Sequence, residues 1–380
     1  MKPLLISLLA ALLTPLLAQT PLAPGRSPDS VTPFEWFRRA DDLTNIRMPG
    51  SAPFHMKVTF YAHPAVDLSL PKTAAPRADT PVPGRPFVIS GDGTYEETWI
   101  SSERWRREAT LGTYHAVEVR ADGVRKFQAN SDYEPGRVLM LLDALLQPIH
   151  RFNLEPELEE RPWKWDVEHL TAGSMHYVRI HHTQVMGQNE FSADLDSFEF
   201  LPAGTLVRRT VASLATTWQD DANFAGRIVP RTIQIRSMEG DLLDARVSIE
   251  PLGERPDSSQ FDLPVPPAEP GMTLQNVSSR SDAGRGTERS DPPAWPPEQD
   301  APPGAGLRVW VTVDRTGLPR EMELIAATAR PAADGKVPAW LQGEAAIVFR
   351  SVQHSKYPPR IVDKSPCEFF AVVDAIHGNN

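Results

Sequence analysis

From Phe54 onward the chain alternates. In FHMKVTFYA, Phe54, Met56, Val58 and Phe60 point one way while His55, Lys57 and Thr59 point the other. A period of two means an extended strand with one buried face. After a proline-studded stretch from His63 to Pro86, similar runs recur at Gly93–Ile100, Glu103–Leu111, Tyr114–Arg120 and Val124–Ala129. Gly112 and the Asp122–Gly123 pair punctuate them, which predicts antiparallel hairpins. Further runs follow at Met175–His182, Asp196–Leu201, Leu206–Ser213, Arg227–Ser237 and Leu242–Glu250. Helical spacing occurs at Phe34–Leu43 and Pro135–Leu146, the latter opened by proline and ended near Pro148. About ten strands and two helices make an α+β body with a large antiparallel sheet.

The patterning ends at FDLP, Phe261–Pro264. The segment 264–306 is rich in Pro, Gly, Ser and charge and reads as a linker, partly extended by its prolines. The chain holds 38 prolines, and they cluster here and at Pro64–Pro86, so they mark loops. Residues 307–380 then read strand, turn, strand, helix, strand: a small ββαβ domain, with the turn at Asp314–Gly317 and the helix at Pro338–Phe349. The body is thus expected over 33–263, with the tail as an independent module. At the other end, Lys2 precedes the mostly apolar run Leu4–Ala18. A charge, an apolar core and a small residue describe a signal peptide over 1–18, with cleavage expected after Ala18. The run falls short of the roughly 20 apolar residues a membrane span needs.

A formal charge of −10 argues against nucleic acid or anionic membrane as a general partner. One cysteine, Cys367, allows no intramolecular disulfide and reads as a structural thiol. There is no GxSxG elbow, HExxH, P-loop or CxxC, so no enzyme is expected and no cofactor. His176 and His182 share a strand face but lack a visible third metal ligand; solvated sheet residues are the expectation. A metal-dependent hydrolase built on them is the least favoured function. The acidic run Glu155–Glu160 lacks the ligand order of a calcium loop. Glu96 and Glu97 fall on opposite strand faces and cannot act as an acid/base couple. Arg104 and Arg106 face one way, with salt bridges to Glu96 and Glu108 expected. The aromatic set is more suggestive. Tyr95 and Trp99 share a face, Trp105 begins the next strand, and Phe54, Met56, Val58 and Phe60 supply a neighbouring stripe. In a closed sandwich this is core; in an open sheet it lines a pocket for an apolar ligand. The helix Val138–Leu146 is apolar around much of its circumference and is placed against the same side.

The helix leading to Phe54–Tyr61, GTYEETWISSERWRREATLG at Gly93–Gly112, and the closing FDLPVP at Phe261–Pro266 together resemble the LolA-like superfamily of periplasmic lipoprotein carriers. That resemblance implies a curved half-barrel with capping helices and an apolar concavity for acyl chains. The tail, with GLRVWVTVDRTGLPREMELIAA, looks like a TonB C-terminal domain, which implies a module that contacts a protein partner. The combined expectation is an exported, non-enzymatic binding protein of the periplasm or cell envelope in a Gram-negative-type bacterium. It would bind an apolar, acyl-chain or lipid-like ligand through Phe54, Met56, Val58, Phe60, Tyr95, Trp99 and Trp105. The alternative is envelope scaffolding with no small-molecule pocket.

Overall fold

A computed structural model of the chain describes residues 31–66, 86–146, 148–149, 165–182, 196–211, 213–253, 257–262, 306–327, 339–362 and 365–376. The expected signal segment, the acidic run Glu155–Glu160 and the linker from 264 to 305 lie outside them.

Helix α1 (Pro33–Thr44) leads into β1 (Phe54–Ala62). A meander follows: β2 (Gly91–Ser101), β3 (Arg104–Leu111), β4 (Tyr114–Ala121) and β5 (Val124–Ala129). Helix α2 (Gly136–Leu146) interrupts the strands. A second meander comprises β6 (Trp165–Ala172), β7 (Met175–His182), β8 (Asp196–Phe200), β9 (Leu206–Val211) and β10 (Leu214–Gln219). The small hairpin β11 (Ala222–Phe224) and β12 (Arg227–Val229) precedes β13 (Thr232–Arg236) and β14 (Asp241–Pro251). Twelve of these strands form one open antiparallel sheet in the order β5-β4-β3-β2-β1-β14-β13-β10-β9-β8-β7-β6. The two meanders meet at a single long-range pairing, β1 on β14, with Val58 opposite Val247. The α+β class and the large antiparallel sheet match the expectation. Strands β6, β10 and β11 were not anticipated. β6 is exposed over most of its length, so it lacks an alternating signal. The turn into β10 uses Ser213 at φ 71° where glycine or aspartate would have marked it. Pro230 divides the expected run Arg227–Ser237 into β12 and β13.

Both body helices pack on the same face of the sheet. α1 starts with a capping box, in which the Glu35 N–H donates to Thr32 Oγ1 and the Thr32 N–H donates to Glu35 Oε2, with Pro33 at its first position. It buries Trp36 and Phe37, and Phe37 meets Phe198 edge-on at 4.8 Å between ring centroids. α2 buries every residue from Gly136 to Ala144, as its all-round apolar sequence requires.

The tail has β15 (Gly306–Val313), β16 (Pro319–Ala327), α3 (Ala339–His354), the small hairpin β17 (Arg360–Val362) and β18 (Ser365–Cys367), and β19 (Phe369–Ile376). Its sheet runs β16-β15-β19, and the central β15 is buried along its whole length. Leu307, Val309, Val311, Met322 and Leu324 pack with Leu341, Val348 and Phe349 of α3. The opposite face belongs to the body: Trp310, Ile325, Phe370 and Val372 join the core that contains Trp36, Phe54 and Leu139. Backbone pairing reinforces the junction, because Phe87 and Met322 exchange N–H···O bonds of 2.9 and 3.0 Å. No helix among the described residues is long and apolar enough to cross a membrane.

Candidate functional site: an apolar cleft beside a buried charge ladder

The inward register of β1, β2 and β3 sets Phe54 opposite Trp99 opposite Trp105, and Met56 opposite Glu97 opposite Arg107. All seven residues expected to bind ligand therefore share the helix-covered face. They are nearly or fully buried there. Trp99 stacks on Phe54 at 5.5 Å with rings 11° from parallel. The Phe60 ring lies over Gly93, where a Cβ would come within 2.2 Å of it. Of the seven, Met56 lines the cleft described below; the others pack among themselves and their neighbours.

Interleaved with the aromatics is a row of alternating charge. Arg47, in the loop after α1, holds Glu97 on β2 through its Nε at 3.0 Å to both carboxylate oxygens. Arg107 on β3 donates to the same carboxylate at 2.9 Å, and Tyr95 donates its hydroxyl at 3.1 Å. Glu118 on β4 lies opposite Arg107 and accepts from Arg125 of β5 at 2.7 Å. Burial alone would push the Glu97 carboxyl up, but Arg107 and Arg47 hold it down at about 2. For Glu118 burial wins over Arg125 and Arg107, and its pKa is raised. Trp105 serves this row as a platform, with the Arg107 and Arg125 guanidiniums 4.3 and 5.7 Å from its ring centroid.

The cleft opens where the row begins. Its walls come from the α1–β1 loop (Ile46, Arg47), the end of α2 (Ala144, Leu145), Pro148 just after it, Leu206, Trp218, Ile228, Val229 and Val247. The cavity volume is about 50 Å³, room for a few waters. Three side chains tie the end of α2 to this place. Trp218 Nε1 donates to Ala144 O at 3.2 Å, Arg47 to Leu145 O at 3.2 Å and Arg209 to Pro148 O at 3.2 Å. Arg209 also pairs with Asp143. The arginine donors suit the negative end of a helix dipole. Sequence reasoning missed most of this lining because Trp218 lies on the unanticipated β10, and Ile228 and Val229 lie in the small hairpin.

The other face of the sheet is largely polar, apart from a small apolar cluster of Val117, Val119 and Phe261. As expected, Glu96 and Glu97 diverge: Glu96 pairs with Lys57 at 3.1 Å on the outer side. Arg106 meets Glu108 at 2.7 Å, whereas Arg104 lies over the Phe261 ring at 4.9 Å. On β7, His176 Nδ1 sits 3.2 Å from Thr171 Oγ1. Among the described residues no group of three or more His, Cys, Asp or Glu side chains could hold a metal ion.

No protein-family model matches the chain, and no curated protein matches it. Similar solved structures include two that span nearly their whole length on this chain. One is a LolA superfamily protein of Nitrosomonas europaea, 11% identical, with a TM-score of 0.30, covering 62% of this chain and 99% of that one. The other is a DUF1329 family protein of Desulfovibrio piger, 6% identical, with a TM-score of 0.29, covering 60% of this chain and 97% of that one. Superpositions this loose say nothing of what the present chain binds.

Proposed function

We propose that this is a non-enzymatic binding protein of the cell envelope that takes an apolar, acyl-chain-like ligand in the cleft at the end of α2. The observation that carries this reading is the cleft's composition: Ile46, Met56, Leu206, Trp218, Val229 and Val247 surround it on the covered face of an open sheet. Small-molecule sites have this character, an apolar wall with few polar groups. Affinity would come from surface removed from water, at about 25 cal/mol per Å². The leader-like start of the sequence and the net charge of −10 support an exported protein that does not bind nucleic acid. The C-terminal module would engage a protein partner of the envelope.

The chain from Gln19, made in a bacterial periplasm and purified gently, should carry a stoichiometric lipid in native mass spectrometry. Ile228→Glu, at the half-buried rim of the cleft, places a charge where apolar contact is needed. It should weaken binding of the probe N-phenyl-1-naphthylamine by tenfold or more while leaving melting cooperative. Unchanged binding removes the cleft as the site. The small cavity volume, about 50 Å³, favours a second reading, a scaffold that binds only proteins; a ligand-free preparation that also ignores the probe would establish it.

A further inference from the structure

The polar contacts at the start of α2 come largely from the tail. Glu321 on β16 accepts from the Gly136 N–H, the first residue of the helix, and from the Ile89 N–H at 2.9 Å. Glu323, two residues on, pairs with Arg137, whose guanidinium also donates to the carbonyl of His63 at 3.1 Å. Glu368, just before β19, accepts from the Glu134 N–H at 3.0 Å. Carboxylates belong at the positive end of a helix, and these three are supplied by the other module. The approach is close: a Cβ on Gly136 would lie 2.7 Å from Thr312 Oγ1 and 2.8 Å from Glu321 Oε2. The far end of the same helix forms a wall of the apolar cleft through Ala144 and Leu145.

From this juxtaposition we propose that the C-terminal module is a latch on α2. Docked, its carboxylates fix the helix against the sheet and keep the cleft narrow; undocked, they release the helix start and let the cleft widen. The widening rests on the cleft being the ligand site; the latch itself does not. Buried ion pairs suit a latch because losing one partner leaves the other charge stranded, so partial release is disfavoured. The apolar face of Trp310, Ile325, Phe370 and Val372 makes unaided release rare. An envelope protein that covers this face in place of the body is the kind of partner that would open the latch.

Two full-length variants test it. Glu323→Gln strips Arg137 of its carboxylate, and Gly136→Ala wedges Glu321 from the helix while giving α2 a better helix former. Amide exchange of the segment 136–146 should accelerate at least tenfold in both, and N-phenyl-1-naphthylamine should bind severalfold more tightly. If Glu323→Gln fails to fold, Gly136→Ala decides alone. Unchanged exchange in a cooperatively folded Gly136→Ala protein overturns the latch. Faster exchange with unchanged probe affinity keeps the latch and overturns its control of the cleft. Faster exchange with no probe bound by any form, wild type included, keeps the latch and removes the apolar-ligand reading instead.

Discussion

A carboxylate without water contact, such as Glu97, is tolerable only because two guanidiniums and a phenol surround it. Removing its charge leaves Arg47 and Arg107 facing an amide, and breaking a buried pair in this way costs about 3–5 kcal/mol. Its pKa in the fold is about 2 against an ordinary 4.5. Its contribution is therefore present above pH 4.5 and lost as the pH falls toward 2. Glu321 has the opposite sign. Burial pushes it up to about 7, against the Ile89 and Gly136 N–H groups and Arg137, with Glu323 adding to the rise. Its contribution is full below 4.5 and lost as the pH rises through 7. Thermal midpoints should thus fall on both sides of about pH 5. Glu97→Gln should flatten the acid limb and Glu321→Gln the neutral one; a wild-type midpoint that climbs from pH 5 to 8 rules out the Glu321 assignment. The charge row was legible in principle. The alternation that turns Trp105 inward also turns Arg107 inward, and Glu97 shares the face of Tyr95 and Trp99. What the sequence could not reveal was Arg47, which reaches Glu97 from a loop 50 positions away.

At the level of elements, a strand with strict alternation was readable almost to the residue, as with β1, because one buried face writes the pattern directly. β6 and β10 were not, since exposure on both sides erases the pattern and a serine turn hides the boundary. Helix α2 shows what holds an apolar rod inside a protein: carboxylates from the tail at its start and arginines from the body at its end. Neither set is adjacent to it in sequence, so its placement was legible but its fastening was not. The β1–β2 pair carries its own test. Gly93 leaves space for the Phe60 ring, and a Cβ there would fall 2.2 Å from it. Gly93→Ala should cost about 1–3 kcal/mol by overpacking, read as a lower denaturation midpoint; an unchanged midpoint would mean that the ring swings aside freely.

For the whole molecule, the junction between body and tail matters most. Trp310, Ile325, Phe370 and Val372 lie in the body's core, and burial at about 1.5–3 kcal/mol per side chain makes their gross contribution on the order of 6–12 kcal/mol, an upper figure. A chain ending at residue 305 should therefore melt at least 5 °C lower and bind hydrophobic dyes. An unchanged midpoint would instead establish the tail as the independent module its sequence suggests. The sheet's order also has a kinetic consequence. Within each meander a strand pairs with its immediate successor, so hairpins can close within microseconds. The seam of β1 on β14 joins residues about 190 positions apart, as in the Ser248 hydroxyl bonded to Lys57 O. Loop closure over that distance is slow. Refolding should therefore pass through two half-sheets with an unpaired edge at β1, the interval in which the chain is most exposed to aggregation and proteolysis.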